Sequence, residues 1–268
     1  MRPGWQRALY GVVVRELLRF LQQRGRFVAA LVRPLVWLFI FAAGFRAVLG
    51  VSIQPPYQTY ILYDEYIVPG LCAMITLFNG MQSSLSMVYD REMGSMRVLL
   101  VSPYPRGFLL LARLCASTVV SILQVVTFLL IAGLFDLRFT LVGYLAALPA
   151  IAASGLMLGA FGLALSSLVK QLENFAGIMN FVIFPTFFAS SALYPLWRLR
   201  ESSYELWWIA ATNPFSHATE LIRFALYGQV NLSAAAVVLA CTALFLGLAV
   251  FGYDPSRGVI ARKAGRGG

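Results

Sequence analysis

Charged residues are scarce in this sequence, and acidic residues and histidine are the scarcest of them. Asp, Glu, Lys and Arg together make up 12% of the 268 residues, with eleven acids and a single histidine. Ordinary soluble domains carry about 25% charged residues. Hydrophobic residues reach 60%, so the chain needs lipid as its solvent. These figures exclude an ordinary soluble domain and predict an integral membrane protein.

Catalytic and metal-binding motifs are also missing. The three cysteines, Cys72, Cys115 and Cys241, stand alone in apolar stretches without CxxC spacing, so we expect neither a disulfide framework nor a zinc site. The chain has no HExxH and no GxSxG. We therefore predict no catalytic, cofactor-binding or metal-binding residues. An intramembrane lipid enzyme stays an alternative with few residues to build it from.

Lysine is almost absent, which bears on the energy source. The two lysines, Lys170 and Lys263, follow Val169 and Arg262, whereas a Walker A motif needs a Gly-Lys pair. The chain is therefore predicted to have no ATPase site of its own. A proton-coupled secondary transporter is a second alternative, but it normally needs a carboxylate inside the membrane, and the acids fall outside or at the margins of the apolar runs.

Long apolar runs are what the sequence does have. About 20 apolar residues cross the roughly 30 Å hydrocarbon layer. Runs of that kind predict an all-α fold with six transmembrane helices, at 27–49, 66–89, 114–135, 141–168, 174–195 and 232–253. Arg33 lies in the first run, near enough to its end to reach the headgroups.

The basic residues predict the orientation. Residues 5–26 place apolar side chains on one face of a helix and arginines on the opposite face, which is typical of an interfacial helix. The segments on its side of the membrane carry sixteen Lys and Arg residues, and those on the other side carry five. Both termini are thus predicted cytoplasmic and residues 196–231 extracellular. The basic residues form no stripe with interleaved aromatics, so we expect no nucleic-acid partner.

Small residues indicate where helices approach closely. Gly155, Gly159 and Gly162 of the fourth predicted span form a GxxxG-type face. Such a face packs helices within one subunit, or serves a dimer or a transport pathway, and the sequence leaves these alternatives open.

A charged segment, 90–106, separates the second and third predicted spans. Arg91 and Glu92 are expected to be exposed there, and Pro103 ends any helix because it disfavours the helical region at Ser102. The segment is either a connector or a short peg that another protein grips.

Residues 91–103, Arg-Glu-Met-Gly-Ser-Met-Arg-Val-Leu-Leu-Val-Ser-Pro, resemble the permeases of ABC-2 type transporters, in which an acid and a glycine precede a leucine pair and a proline. Ser95 stands where that family usually has threonine. In that family the segment is the coupling helix, which docks on the ATP-binding subunit. The resemblance implies a coupling role for Arg91, Glu92, Gly94, Leu99, Leu100 and Pro103.

A second motif, 213–223, resembles the Asn-Pro segment before the last span in the nodulation-factor and daunorubicin-type branch, closest to permeases of alcohol-oxidation gene clusters. Asn213-Pro214 predicts a helix break, and His217, Glu220 and Arg223 share a helix face. For these we expect local hydrogen bonds or ion pairs.

The resemblance implies one ABC-2 domain over residues 1–268, in a bacterial inner membrane. It implies an ABC ATP-binding subunit that holds ATP and magnesium, a homodimer or related permease as partner, and contact with membrane lipid. Aromatic and weakly polar residues suit a pathway for an amphipathic or lipid-like cargo moved outward: Phe78, Asn79, Gln82, Gln124, Asn180 and Phe184. A drug, glycolipid, polysaccharide or small alcohol metabolite all remain open as cargo.

Overall fold

The computed structural model describes residues 4–22, 24–45, 50–51, 55–57, 60–93, 104–137, 139–169 and 171–253. Within these ranges the fold is almost entirely helical. The helices are α1 (Trp5–Gln22), α2 (Arg24–Phe45), α3 (Tyr63–Glu92), α4 (Arg106–Gly133), α5 (Leu141–Leu168), α6 (Leu172–Phe188), α7 (Leu196–Ser202), α8 (Tyr204–Thr212), α9 (Pro214–Leu226) and α10 (Leu232–Gly252). Two short antiparallel strands, β1 (Gly50–Val51) and β2 (Ile61–Leu62), precede α3.

Four helices are long and apolar enough to cross a membrane by length and composition: α3, α4 from Gly107, α5 and α10. They correspond to the second, third, fourth and sixth predicted spans, so the chain is a multi-pass α-helical membrane protein. The first and fifth predicted spans fall on α2 and α6, whose apolar helical stretches are shorter, Val28–Phe41 and Leu172–Phe188. The count of six spans stays a prediction.

The GxxxG-type face of α5 is covered by helices of the same chain. A Cβ atom added to Gly80 of α3 would lie 2.9 Å from the Cα of Gly159, and one added to Gly162 would lie 2.6 Å from the Oγ of Ser84. Gly155 faces Thr118 of α4 at 3.2 Å. Small residues thus let α3, α4 and α5 approach closely, which stabilises helix packing in lipid, where no hydrophobic effect holds helices together.

α6 ends earlier than the apolar run predicts. The run extends to residue 195, but the helix stops at Phe188, three residues after Pro185. Residues 189–195 form turns and lead into the predicted extracellular segment, which is a chain of short helices, α7 to α9. Gly228, with φ of +71°, follows α9 and turns the chain toward α10.

Candidate functional site

The guanidinium of Arg91, in the last turn of α3, caps the C-terminal end of α5. It donates hydrogen bonds to the carbonyl oxygens of Ser166, at 3.0 Å, and Val169. The last carbonyls of a helix lack helical partners and carry partial negative charge, so a cation is stabilising there. The expectation that Arg91 is exposed is wrong: it is half-buried, because its side chain turns back onto the bundle.

The neighbouring acids tie the same turn to two more helices. The Oε2 of Glu92 accepts a hydrogen bond from the backbone N–H of Leu172, the first residue of α6, at 3.1 Å. The Oδ2 of Asp90 accepts one from Nη1 of Arg113 in α4, at 2.9 Å. The pairing of Arg113 with Asp90 was not predictable from the sequence, since 23 residues separate them. The end of α3 is thereby bonded to α4, α5 and α6.

Most of the predicted coupling segment lies outside the described residues: Gly94, Leu99, Leu100 and Pro103. The chain is described again from Tyr104, where α1 meets the start of α4. The Trp5 ring packs edge-on against Tyr104 and Phe108, with centroids 5.7 and 4.7 Å apart. The predicted interfacial helix therefore contacts the chain at the end of the predicted coupling segment.

Four of the six predicted pathway residues line one cavity between α2, α3 and α4, of about 70 Å³: Phe78, Asn79, Gln82 and Gln124. The Oε1 of Gln124 is buried in it without a partner. Asn79 instead donates hydrogen bonds to the carbonyl of Ser117 and the hydroxyl of Ser121, both at 2.8 Å. Asn79 therefore bonds α3 to α4 beside the cavity.

Arg33 lines the same cavity. Its guanidinium lies over the ring of Phe78, 4.1 Å from the centroid, an arrangement in which the ring face attracts the cation. Arg33 is exposed near the midpoint of α2, and its position near the end of a membrane span stays a prediction. Phe184 of α6 adjoins Phe78, with ring centroids 6.4 Å apart, and Asn180 is exposed on α6.

The Asn213-Pro214 motif joins α6 to α9. The Oδ1 of Asn213 caps α9 by accepting from the N–H of Phe215 at 3.0 Å, and Pro214 occupies the first helical position, where its missing N–H costs nothing. The Nδ2 of Asn213 donates to the carbonyls of Thr186 and Ala189, each at 2.8 Å. The motif therefore starts one helix and satisfies the free carbonyls at the end of another.

Arg223 of α9 is buried, with 2% of its surface exposed. It pairs with Glu220 and donates to the carbonyl of Ser191 at 2.8 Å, and its guanidinium lies 4.1 Å from the ring centroid of Tyr66. Burial acts to lower the pKa of Arg223, but the carboxylate of Glu220, its hydrogen bond and the hydroxyls of Tyr57 and Tyr66 together hold that pKa above its ordinary value. Arg223 therefore stays charged, and the predicted pairing along α9 joins it to Glu220.

His217 does not join that pair. Its Nε2 lies 3.1 Å from the carbonyl oxygen of Ala211, so the hydrogen is assigned to Nε2. His217, Glu220 and Arg223 all line a cavity of about 340 Å³. Among the described residues, no group of three or more His, Cys, Asp or Glu side chains is placed to hold a metal ion.

Comparison with known proteins agrees with this architecture. The sequence profile described as ABC-2 type transporter matches residues 7–227. The chain is 26% identical to the putative transport permease ycf38 of Porphyra purpurea, over 80% of this chain and 72% of that protein. It is 31% identical to the probable multidrug ABC transporter permease YbhR of Escherichia coli K12, over 62% and 45%, and 24% identical to nodulation protein J of Rhizobium leguminosarum bv. viciae, over 73% of each. Because the profile covers the chain from α1 to the end of α9, this protein belongs to the ABC-2 type transporter family of permeases.

Proposed function

We propose that this chain is the membrane-spanning subunit of an ATP-driven exporter and that it moves an amphipathic or lipid-like molecule outward. Membership of the ABC-2 family makes it a transport permease subunit that works with an ABC ATP-binding partner. ATP is bound with Mg²⁺ and hydrolysed on that partner. Both termini lie in the cytoplasm of a bacterium, and the 340 Å³ cavity faces the outside of its inner membrane.

The observation that carries the proposal is the bonding of the end of α3. The motif that resembles a coupling helix, 91–103, begins in the last turn of α3, and that turn is bonded to α4, α5 and α6. α3 has 30 residues and is thus about 45 Å long. A push on the coupling segment therefore reaches the pathway residues Phe78 and Gln82 as a rigid-body movement of α3 with its neighbours.

The cavity between α2, α3 and α4 is small, which supports a pathway shared between two permeases. Its volume of about 70 Å³ is well below the roughly 300–1,000 Å³ of small-molecule sites. Asn180 is exposed near the midpoint of α6, and a polar side chain is costly against lipid. We propose that a second copy, or a related permease, covers this face and that the pathway opens between the two.

The positions of the acids on α3 do not support a proton-coupled transporter. On α3 they lie in the first turn, at Asp64 and Glu65, and in the last turn, at Asp90 and Glu92. A proton relay needs a carboxylate deeper in the membrane.

The proposal can be tested by reconstituting the permease with its ATP-binding subunit in liposomes and measuring the ATPase activity of the complex. Glu92→Ala removes the carboxylate that bonds to α6, so we expect it to lose most of the stimulation that the permease gives. Glu92→Gln keeps a side-chain oxygen that accepts the same hydrogen bond, so we expect it to retain part of the stimulation. Glu201→Ala removes an exposed carboxylate from α7 and serves as the control. Full stimulation in Glu92→Ala would contradict the coupling role.

A further inference from the structure

The 340 Å³ cavity is lined by residues of α7, α8 and α9, by the segments before α3 and α10, and by the first turns of those two helices. Its volume falls within the range of small-molecule sites, about 300–1,000 Å³. Aromatic rings form much of its wall, from Tyr57, Tyr66, Trp197 and Phe224. Apolar walls with a few polar groups are typical of ligand sites.

Three residues that line this cavity carry buried hydrogen-bond donors without partners. Five buried side-chain nitrogen or oxygen atoms of the described residues lack a partner, and three belong to residues that line it: the hydroxyl of Tyr57, Nε1 of Trp197 and Nε of Arg223. Tyr57 is 4% exposed and Arg223 is 2% exposed. An unpaired buried donor costs about 1–3 kcal/mol, so three donors on residues that line one cavity favour a bound molecule that supplies acceptors when these side chains turn toward it.

The donor set defines the chemistry of that molecule. The N–H groups of Arg223 and Trp197 can only donate. Burial raises the pKa of Tyr57 well above its ordinary value, so its hydroxyl keeps its proton and is available to donate as well. The ligand must therefore offer oxygen or nitrogen atoms that accept hydrogen bonds.

The charges at the cavity favour a neutral ligand. Arg223 and Glu220 are the two charged residues in its lining, and they are paired with each other. An anion would meet the Glu220 carboxylate, and a cation would meet the Arg223 guanidinium and leave the three donors unsatisfied.

We propose that this cavity binds the oxygen-bearing head group of a neutral amphipathic molecule. The head-group oxygens accept hydrogen bonds from Tyr57, Trp197 and Arg223, and the aromatic wall contacts the apolar part next to them. Such a molecule is either a membrane lipid or the transported cargo. Only its identity as cargo rests on the proposed export function.

Three probes with the same dioctanoyl tails separate the chemistries: dioctanoylglycerol is neutral, dioctanoyl phosphatidic acid is anionic, and dioctanoyl trimethylammonium-propane is cationic. We expect native mass spectrometry of the full chain to show tightest binding of dioctanoylglycerol. Tyr57→Phe and Trp197→Phe keep an aromatic ring and remove one donor, so each should weaken that binding about fivefold, the equivalent of one neutral hydrogen bond. Tyr60→Phe and Trp208→Phe alter exposed side chains outside the cavity lining and should leave it unchanged.

Folding does not confound this test. Tyr57→Phe removes a donor that has no partner and keeps the ring, so its melting temperature without ligand should equal or exceed that of the wild type. Trp197→Phe also shrinks a half-buried ring and should melt somewhat lower, so Tyr57→Phe is the decisive variant. A resident lipid would copurify with the wild type and be depleted in both variants. A cargo molecule would be released on ATP addition in the complex with the ATP-binding subunit, and either result supports the proposal.

Equal binding by all variants, or tighter binding of phosphatidic acid, would overturn it. Because binding is measured without the ATP-binding subunit, failure of this proposal leaves the Glu92 experiment unaffected, and the reverse also holds.

Discussion

Replacing Arg223 with methionine tests whether the buried ion pair of α9 stabilises the fold. Methionine keeps an unbranched side chain of similar length and removes the charge and all hydrogen bonds. The substitution takes away the partner of Glu220, the donor to the Ser191 carbonyl and the cation over the Tyr66 ring.

The expected loss follows from what the substitution leaves behind. Removing one member of a buried ion pair typically costs about 3–5 kcal/mol, because the other charge stays without compensation. The Glu220 side chain is 21% exposed, so water partly hydrates it, and we expect the lower end, about 3 kcal/mol. In the double variant Arg223→Met with Glu220→Gln no charge remains. Replacing both members of a buried pair is often close to neutral, so the double variant should lie within about 1 kcal/mol of the wild type.

The free energy of unfolding can be measured by titrating the purified chain in mixed micelles with dodecyl sulfate and following helicity by circular dichroism. Arg200→Met is the matched control, since Arg200 is exposed and its guanidinium lies 5.3 Å from the Trp207 ring centroid. An exposed cation–π contact is worth about 0.5–1 kcal/mol, so the control should lose no more than that. A loss below about 1 kcal/mol for Arg223→Met, or a double variant no more stable than the single one, would refute the reasoning.

Two further predictions concern helix packing. Gly162→Ala places a Cβ 2.6 Å from the Ser84 hydroxyl and should lower the free energy of unfolding by about 1–3 kcal/mol in the same titration. A Cβ at Gly177 meets nothing within 4 Å, so Gly177→Ala should raise that free energy by up to about 1 kcal/mol through helix propensity. Equal effects of the two substitutions would contradict this account of the interface. Trp5→Leu removes the ring contacts with Tyr104 and Phe108 and should increase hydrogen exchange throughout α1; unchanged exchange would show that other contacts hold α1 in place.

Helix positions were predictable wherever an apolar run and a local cap agree. The predicted span 141–168 coincides with α5, because the apolar run begins directly after Thr140, whose hydroxyl caps the helix by accepting from the N–H of Gly143. The end of α6 was not predictable from the apolar run. That helix stops at Phe188, where the Nδ2 of Asn213 donates hydrogen bonds to the last carbonyls. Asn213 lies 24 residues beyond Ala189, so the apolar run carries no sign of this contact.

The candidate sites likewise contain some contacts that the sequence predicts and others that it does not. The pairing of Glu220 with Arg223 follows from their spacing of three on one helix. The burial of Arg223 depends on Tyr66 of another helix, and no periodicity links the two. Likewise the sequence indicates no partner for Arg33, whereas the structure places its guanidinium over the ring of Phe78 on another helix.

α3 is the physical link between the predicted coupling segment and the 340 Å³ cavity. In lipid, helices are held together by close packing and polar contacts rather than by the hydrophobic effect. α3 has both kinds of contact with α5, through Gly80 against Gly159 and through Arg91 at the end of α5. The hydroxyl of Tyr66, near the other end of α3, donates to the Ser191 carbonyl at 2.8 Å, the same oxygen that Arg223 bonds. Since interfaces packed this tightly shift as units rather than deform, we expect movement at the predicted coupling segment to change the lining of the 340 Å³ cavity as well as that of the 70 Å³ cavity.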